Sequence, residues 1–246
     1  MRKFLPLCAL MVTSCSRNPP PRDGVGAWQE MSARYAVFSS RDKQPLATAL
    51  VRGTDSLPDT ALVRLLSTRT TLPARIVIGI LQLTAPESPR AWWAQAGQPD
   101  PTQTVIDSAV AVLSLNPRIT RVAFLPGLIA GTTYSTATLR DAAARLQADA
   151  VLIYRPSCRV WDRAPFIGPV EYRSACTVEA VLLETRQGLM PFTAIVTRED
   201  TTRHHSSEPN TEATVTRSQL AATWGALRDV LVRTGSFVAT VPESTP

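Results

Sequence analysis

Residues 74–83 read ARIVIGILQL, a nearly continuous run of β-branched and aliphatic side chains. A strand with one wet face alternates apolar and polar residues with a period of two. This run does not, so it predicts a strand covered on both faces. Such a strand needs packed helices on either side of its sheet, which points the chain toward an α/β architecture.

The remaining segments supply those partners. A helix is expected over 57–67, with Ser56 as a cap and Leu62, Leu65 and Leu66 on one face. Asp100-Pro101 is a suitable cap and first turn for a second helix, ending near Asn116-Pro117, with Val105, Ile106, Ala109, Val110 and Leu113 as its apolar set. Residues 119–125 (ITRVAFL) form the next expected strand, stopped by Pro126-Gly127. Ser135 or Thr136 then caps a helix through Gln147, whose stripe Leu139, Ala142, Ala143, Leu146 follows helical spacing. Three strands are expected at 150–161, 173–185 and 189–199, with a tight turn at Gln187-Gly188. Pro191 marks the last of them as an edge or bulged strand. Asn210 or Thr211 opens a final helix with Leu220, Trp224, Leu227 and Leu231 on its buried face and Gly235 just beyond its end. The expected fold is α/β: a single mixed sheet with helices packed on it, in the order β-α-β-α-β-β-β-α.

The cysteines sharpen one part of this scheme. If Cys158 faces Cys176, the hairpin turn centres on Ile167 and the further pairs are Pro156–Val178, Tyr154–Ala180 and Leu152–Leu182. All lie on one face and are apolar or nearly so. The register that joins the cysteines therefore also builds a coherent core face. Ala164-Pro165 and Gly168-Pro169 fall in the loop. A disulfide here would close a loop of about 17 residues and add about 3 kcal/mol in the chain-entropy model. The alternative is two buried thiols acting as small hydrophobes.

The amino terminus carries a different signal. Arg2 and Lys3 are followed by nine apolar residues, 4–12, and then by Val12-Thr13-Ser14-Cys15. The apolar run suits a signal segment and is far below the ~20 residues of a spanning helix. An aliphatic residue, two small residues and a cysteine match the lipobox of bacterial lipoproteins. On this reading 1–14 is a signal peptide, and Cys15 receives palmitate-like acyl chains. Residues 15–27, with Pro19-Pro20-Pro21, are a semi-rigid tether, 28–240 a single domain and 241–246 a disordered tail. Each buried methylene contributes about 0.8 kcal/mol, so two or three chains make a stable anchor. Ordinary secretion and a chance apolar terminus are the competing readings. Ser16 in place of Asp favours the periplasmic face of the outer membrane over the inner membrane.

The segment from 74 to 234 resembles the small α/β domain of the curli-assembly (CsgG-like) lipoproteins, the lipoprotein activators of penicillin-binding proteins and the TolB amino-terminal domain. The matching residues are the 74–83 strand, Leu146-Gln147-Ala148-Asp149-Ala150-Val151-Leu152, and the acidic–turn–Gly sequence Glu184-Thr185-Arg186-Gln187-Gly188. The chain departs from the pattern at Tyr154-Arg155, where the group often has Gly, and in the long insertion at 162–172. The resemblance implies a TolB-type sandwich and an accessory role in cell-wall synthase activation, secretion or surface assembly.

Motifs for chemistry are sparse. Net charge is +6 and falls to +4 without Arg2 and Lys3, and the basic residues are scattered, so no nucleic-acid face is expected. Ser40-Arg41-Asp42-Lys43 fits S-x-x-K, yet the companion S-D-N and K-T-G motifs are absent. The adjacent His204 and His205 are poor shared ligands, so no metal or cofactor is expected. Adjacent Trp92 and Trp93 cannot both face one core. They are the candidate partner contact, together with Leu128 and Ile129 between Gly127 and Gly131. The expected function is a non-catalytic envelope lipoprotein held by its lipid, with an envelope protein partner and scope for oligomerisation. A hydrolase or ligand-binding protein whose residues converge only on folding is the alternative.

Overall fold

The computed structural model describes residues 29–30, 45–51, 58–83, 101–125, 134–204, 208 and 210–244. Their elements are β1 (Gln29–Glu30), α1 (Leu46–Val51), α2 (Asp59–Ser67), β2 (Ile76–Gln82), α3 (Pro101–Leu113), β3 (Ile119–Phe124), α4 (Thr136–Arg145), β4 (Ala150–Arg163), β5 (Glu171–Glu184), β6 (Phe192–Arg203) and α5 (Thr211–Thr240). Five strands form one open mixed sheet in the order β3-β2-β4-β5-β6, and β1 pairs with β4. β2 is parallel to both β3 and β4. The β4–β5 and β5–β6 pairs are antiparallel.

The two crossovers explain how both faces of β2 are covered. The chain moves from β2 through α3 to β3 on one side, then back through α4 to β4 on the other. Right-handed crossovers in opposite directions place their helices on opposite faces. Two cores result. Ile76, Ile78 and Ile80 pack with Ala109 and Leu113 of α3 and with Ala226, Leu227, Val230 and Leu231 of α5. Leu81, Val151 and Ile153 pack on the other face with Leu139, Ala142 and Ala143 of α4 and Leu46 and Leu50 of α1. Gly79 belongs in this strand because a Cβ there would lie 2.6 Å from Leu125 Cδ1 and 3.3 Å from Val151 Cγ2.

The residues that carried the family resemblance hold the base of the sheet. Asp149 Oδ2 accepts the Val77 N–H at 2.9 Å, and the Asp149 N–H donates to the Val77 carbonyl at 2.8 Å. These bonds fix where β4 starts beside β2. Glu184 is buried and accepts the Arg186 N–H at 2.8 Å and the Gln187 N–H at 2.5 Å. Gly188 has φ +76° and completes the turn, which Arg140 of α4 clasps through the Thr185 carbonyl at 2.8 Å. These residues thus act in turns and strand starts.

The hairpin has the register that the cysteines suggested: Leu152↔Leu182, Tyr154↔Ala180, Pro156↔Val178 and Cys158↔Cys176. Pro156 falls beyond Gln82↔Tyr154, the last β2–β4 pair, where its missing N–H costs the parallel ladder nothing. Cys158 and Cys176 are joined in a disulfide that packs on Ala222 of α5.

Several expectations are corrected. Gly235 does not end the last helix, which continues through Thr240, because Gly235 does not take the positive φ that a helix-ending glycine adopts. Residues 241–246 are not wholly a disordered tail. Val241 is buried, the Leu72 N–H donates to the Pro242 carbonyl at 3.0 Å and the Ser244 N–H donates to the Leu72 carbonyl at 2.9 Å. On α5 Leu227 and Leu231 are buried as expected, but the buried face extends to polar side chains and leaves the other two expected residues partly exposed. Leu220 and Trp224 are half-buried, while Thr214, Thr216, Ser218, Gln219 and Thr223 are buried, since small and hydroxyl side chains let the helix lie close to the sheet. Leu66 of α2 is 85% exposed rather than on an inward face. The helix begins at Asp59 with Pro58 as its N-cap; Ser56, the expected cap, lies outside the described residues.

Candidate functional site

β4 and β5 are each 14 residues long, against seven in β2 and six in β3. Their outer halves run past the ends of the parallel strands and are backed by α5. Val160 and Tyr172 pack there on Val215 near the start of that helix, whose N-terminus is capped by Asn210 Oδ1 accepting the Ala213 N–H at 2.9 Å. The two strands end in the loop 164–170, where Phe166 is 87% and Ile167 85% exposed. Pro165 and Pro169 flank this pair, and Gly168 takes φ +115°, a conformation that glycine adopts without strain.

Behind the apex three strands bring charge together. Arg163 of β4 and Arg203 of β6 are both register partners of Glu171 on β5. Arg163 Nη2 donates to Glu171 Oε2, and Arg203 Nε donates to Oε1 at 2.8 Å. The hydrogen bond from Arg163, then that from Arg203, holds the Glu171 carboxyl below the usual glutamate range, against an opposing effect of desolvation. One pleat further back the Arg173 guanidinium lies over the Trp161 ring, 5.9 Å from its centroid.

The same end of the molecule receives the amino-terminal segment. Gln29 pairs with Asp162 and Glu30 with Trp161, antiparallel to β4. The chain therefore arrives from the direction of the hairpin apex. The ends of β2 and β3 face the same way, since both are parallel to the start of β4 or to each other. Their last residues are neighbours: the Leu125 N–H donates to the Ile80 carbonyl at 2.9 Å and the Leu83 N–H to the Tyr154 carbonyl at 2.8 Å. The candidate contact residues Trp92 and Trp93 follow the first stem, and Leu128 and Ile129 follow the second. All four lie outside the described residues, as do Cys15, Ser40 and Lys43. The structure thus brings the roots of the two candidate loops together.

Among the described residues no group of three or more His, Cys, Asp and Glu side chains could hold a metal ion. His204 Nδ1 lies 2.8 Å from Thr214 Oγ1, and Glu208 binds Arg217 Nε at 2.6 Å; His205 lies outside the described residues. Burial raises the pKa of the Tyr154 phenol, which donates to Gln82 Oε1 at 2.8 Å and is a fixed donor at neutral pH. No described helix is long and apolar enough to cross a membrane.

Sequence reading placed 164–169 in a loop with Ile167 at the turn centre, but did not single out Phe166 and Ile167 as an exposed apolar pair, nor the Arg163–Glu171–Arg203 group. An aromatic–aliphatic dipeptide between two prolines was the available signal for the first. The charged group had none, because its members are brought together only by register.

No family model matches this chain, and no curated protein does. Solved structures do. A minor lipoprotein from Acinetobacter baumannii is 11% identical, with 68% of this chain and 97% of that chain covered and a TM-score of 0.35. The PelC dodecamer from Paraburkholderia phytofirmans is 16% identical, with 66% and 93% covered and a TM-score of 0.31. A hypothetical protein from Chlamydia trachomatis is 12% identical, with 67% and 98% covered and a TM-score of 0.37.

Proposed function

We propose that this chain is a bacterial envelope lipoprotein, acylated at Cys15 and held at the periplasmic face of the outer membrane. Its α/β domain serves, without catalysis, as an accessory or scaffolding part of an envelope assembly. The observation that carries the reading is Val12-Thr13-Ser14-Cys15 behind a basic start and a short apolar run. Thirteen residues, 16–28, separate Cys15 from the strand Gln29–Glu30, a length that suits a tether. The resemblance to the curli-assembly, synthase-activator and TolB group supports an accessory role, and Trp92, Trp93, Leu128 and Ile129 are the proposed contacts with the partner.

Cys15→Ala tests the anchor. Cells fed labelled palmitate should label the native chain and not the variant, and the variant should leave the membrane fraction. Persistent membrane association of an unlabelled chain would overturn the assignment. Crosslinking in intact envelopes should recover an envelope protein with the native chain; turnover of a substrate with no partner recovered would replace scaffolding by catalysis.

A further inference from the structure

We infer that the apex of the β4–β5 hairpin, Phe166-Ile167, is a membrane-docking tip that enters the headgroup region of the bilayer to which the chain is tethered. This rests on the reading of Cys15 as lipidated and adds a second, protein-borne contact to it.

Two large apolar side chains stand almost fully exposed at the tip of a hairpin that runs past the parallel strands β2 and β3, with β6 alongside as far as Glu171. Pro165 and Pro169 restrict the loop, so little conformational freedom is lost when it enters an ordered phase. The pairing of Gln29 with Asp162 brings the tether in at this end rather than at the turn 185–188, which lies at the other end of β5. A relaxed tether of 13 residues spans about 20 Å at ~5–6 Å times the square root of its length. Gln29 lies five residues behind Ile167, about 16 Å at ~3.3 Å per residue. The two lengths match, so a bilayer holding the acylated cysteine lies within reach of the apex.

The charges agree with this occupant. Arg163 and Arg203 stand about 10 Å behind the apex, near the headgroups when the apex enters the interface. The two guanidiniums, bridged through Glu171, are placed where headgroup phosphates would lie. A protein groove could also take an apolar tip, but nothing about a soluble partner requires the tether and the tip to share one end. The bilayer does.

The test uses the full chain, acylated in a bacterial host, on vesicles of phosphatidylethanolamine and phosphatidylglycerol. An environment-sensitive fluorophore is attached at Ile167→Cys, or at Arg186→Cys in the exposed turn at the far end. The Ile167 label should shift to shorter wavelength on vesicles and be quenched by nitroxide-bearing lipid, while the Arg186 label should do neither. Equal exposure of both labels to water on a vesicle-bound chain would overturn the docking tip. Mass measurement of the acyl group on Cys15 tests the underlying reading separately. Should that group be absent, the Cys15→Ala chain still decides the tip: Phe166→Ser with Ile167→Ser should reduce its partitioning into the same vesicles by on the order of tenfold. Unchanged partitioning would overturn it.

Discussion

Glu171 is held between Arg163 and Arg203, side chains that are eight and 32 positions away in sequence. Its carboxyl pKa is lowered by those hydrogen bonds, so it binds a proton less readily folded than unfolded. The resulting stabilisation is present above the ordinary glutamate range. It is lost as pH falls through the lowered value. Amides at the outer ends of β4, β5 and β6 should therefore lose hydrogen-exchange protection in that acidic window before the base of the sheet does. Glu171→Gln should abolish that pH dependence, and its persistence in the variant would assign it to another group. Gly79 and Asp149 likewise depend on distant segments. Each acts through neighbours that the chain must bring within about 3 Å.

At the scale of elements, the β4–β5 hairpin is the unit on which the candidate site stands. The Cys158–Cys176 bond links its strands at mid-length and packs against α5, where the Cys158 sulfur lies 3.4 Å from Thr223 Oγ1 and the Cys176 sulfur 3.4 Å from the Gln219 carbonyl oxygen. The bond closes a sequence separation of 18 residues, for which the chain-entropy model gives about 3 kcal/mol. Replacing both cysteines by serine should lower unfolding free energy by about 2–4 kcal/mol in urea titrations. The loss should fall chiefly on the outer hairpin, because the parallel ladder 78–82 against 150–154 is independent of it. A variant as stable as the native chain would show that the bond constrains nothing in the unfolded state.

Across the whole molecule, Arg118 closes the end opposite the hairpin apex. Its Nη1 donates to the carbonyls of Val238 and Val241, both at 2.7 Å, and its Nη2 to those of Leu72 and Pro73 at 3.2 and 3.0 Å. One guanidinium thereby joins the end of α5, the following segment and the approach to β2. Arg118→Ala would leave several part-buried carbonyls without a charged donor, a cost of about 1–3 kcal/mol. The segment after Thr240 should become accessible to carboxypeptidase while the sheet stays folded. Resistance equal to the native chain would show that the Leu72 pairing alone holds it.

Where local pattern and packing agree, sequence was sufficient. The two-faced run at 74–83 became a central strand because no wet face was written into it. The cysteine pair and the apolar partners around it converged on one hairpin register because a slip of one residue would turn every side chain to the other face. Ser135 capped α4, and Asn210 capped α5, because a helix start is a local hydrogen-bonding problem. The Val12-Thr13-Ser14-Cys15 motif, on which the proposed anchor rests, is local too. Tertiary structure alone decided that α5 buries threonines rather than Trp224, that Gly235 lies within a helix, and that residues beyond 240 return to Leu72. It also set the approach of Gln29 to the hairpin end and the meeting of Arg163, Glu171 and Arg203. Each depends on which distant segments become neighbours, and no short-range period in the chain records that.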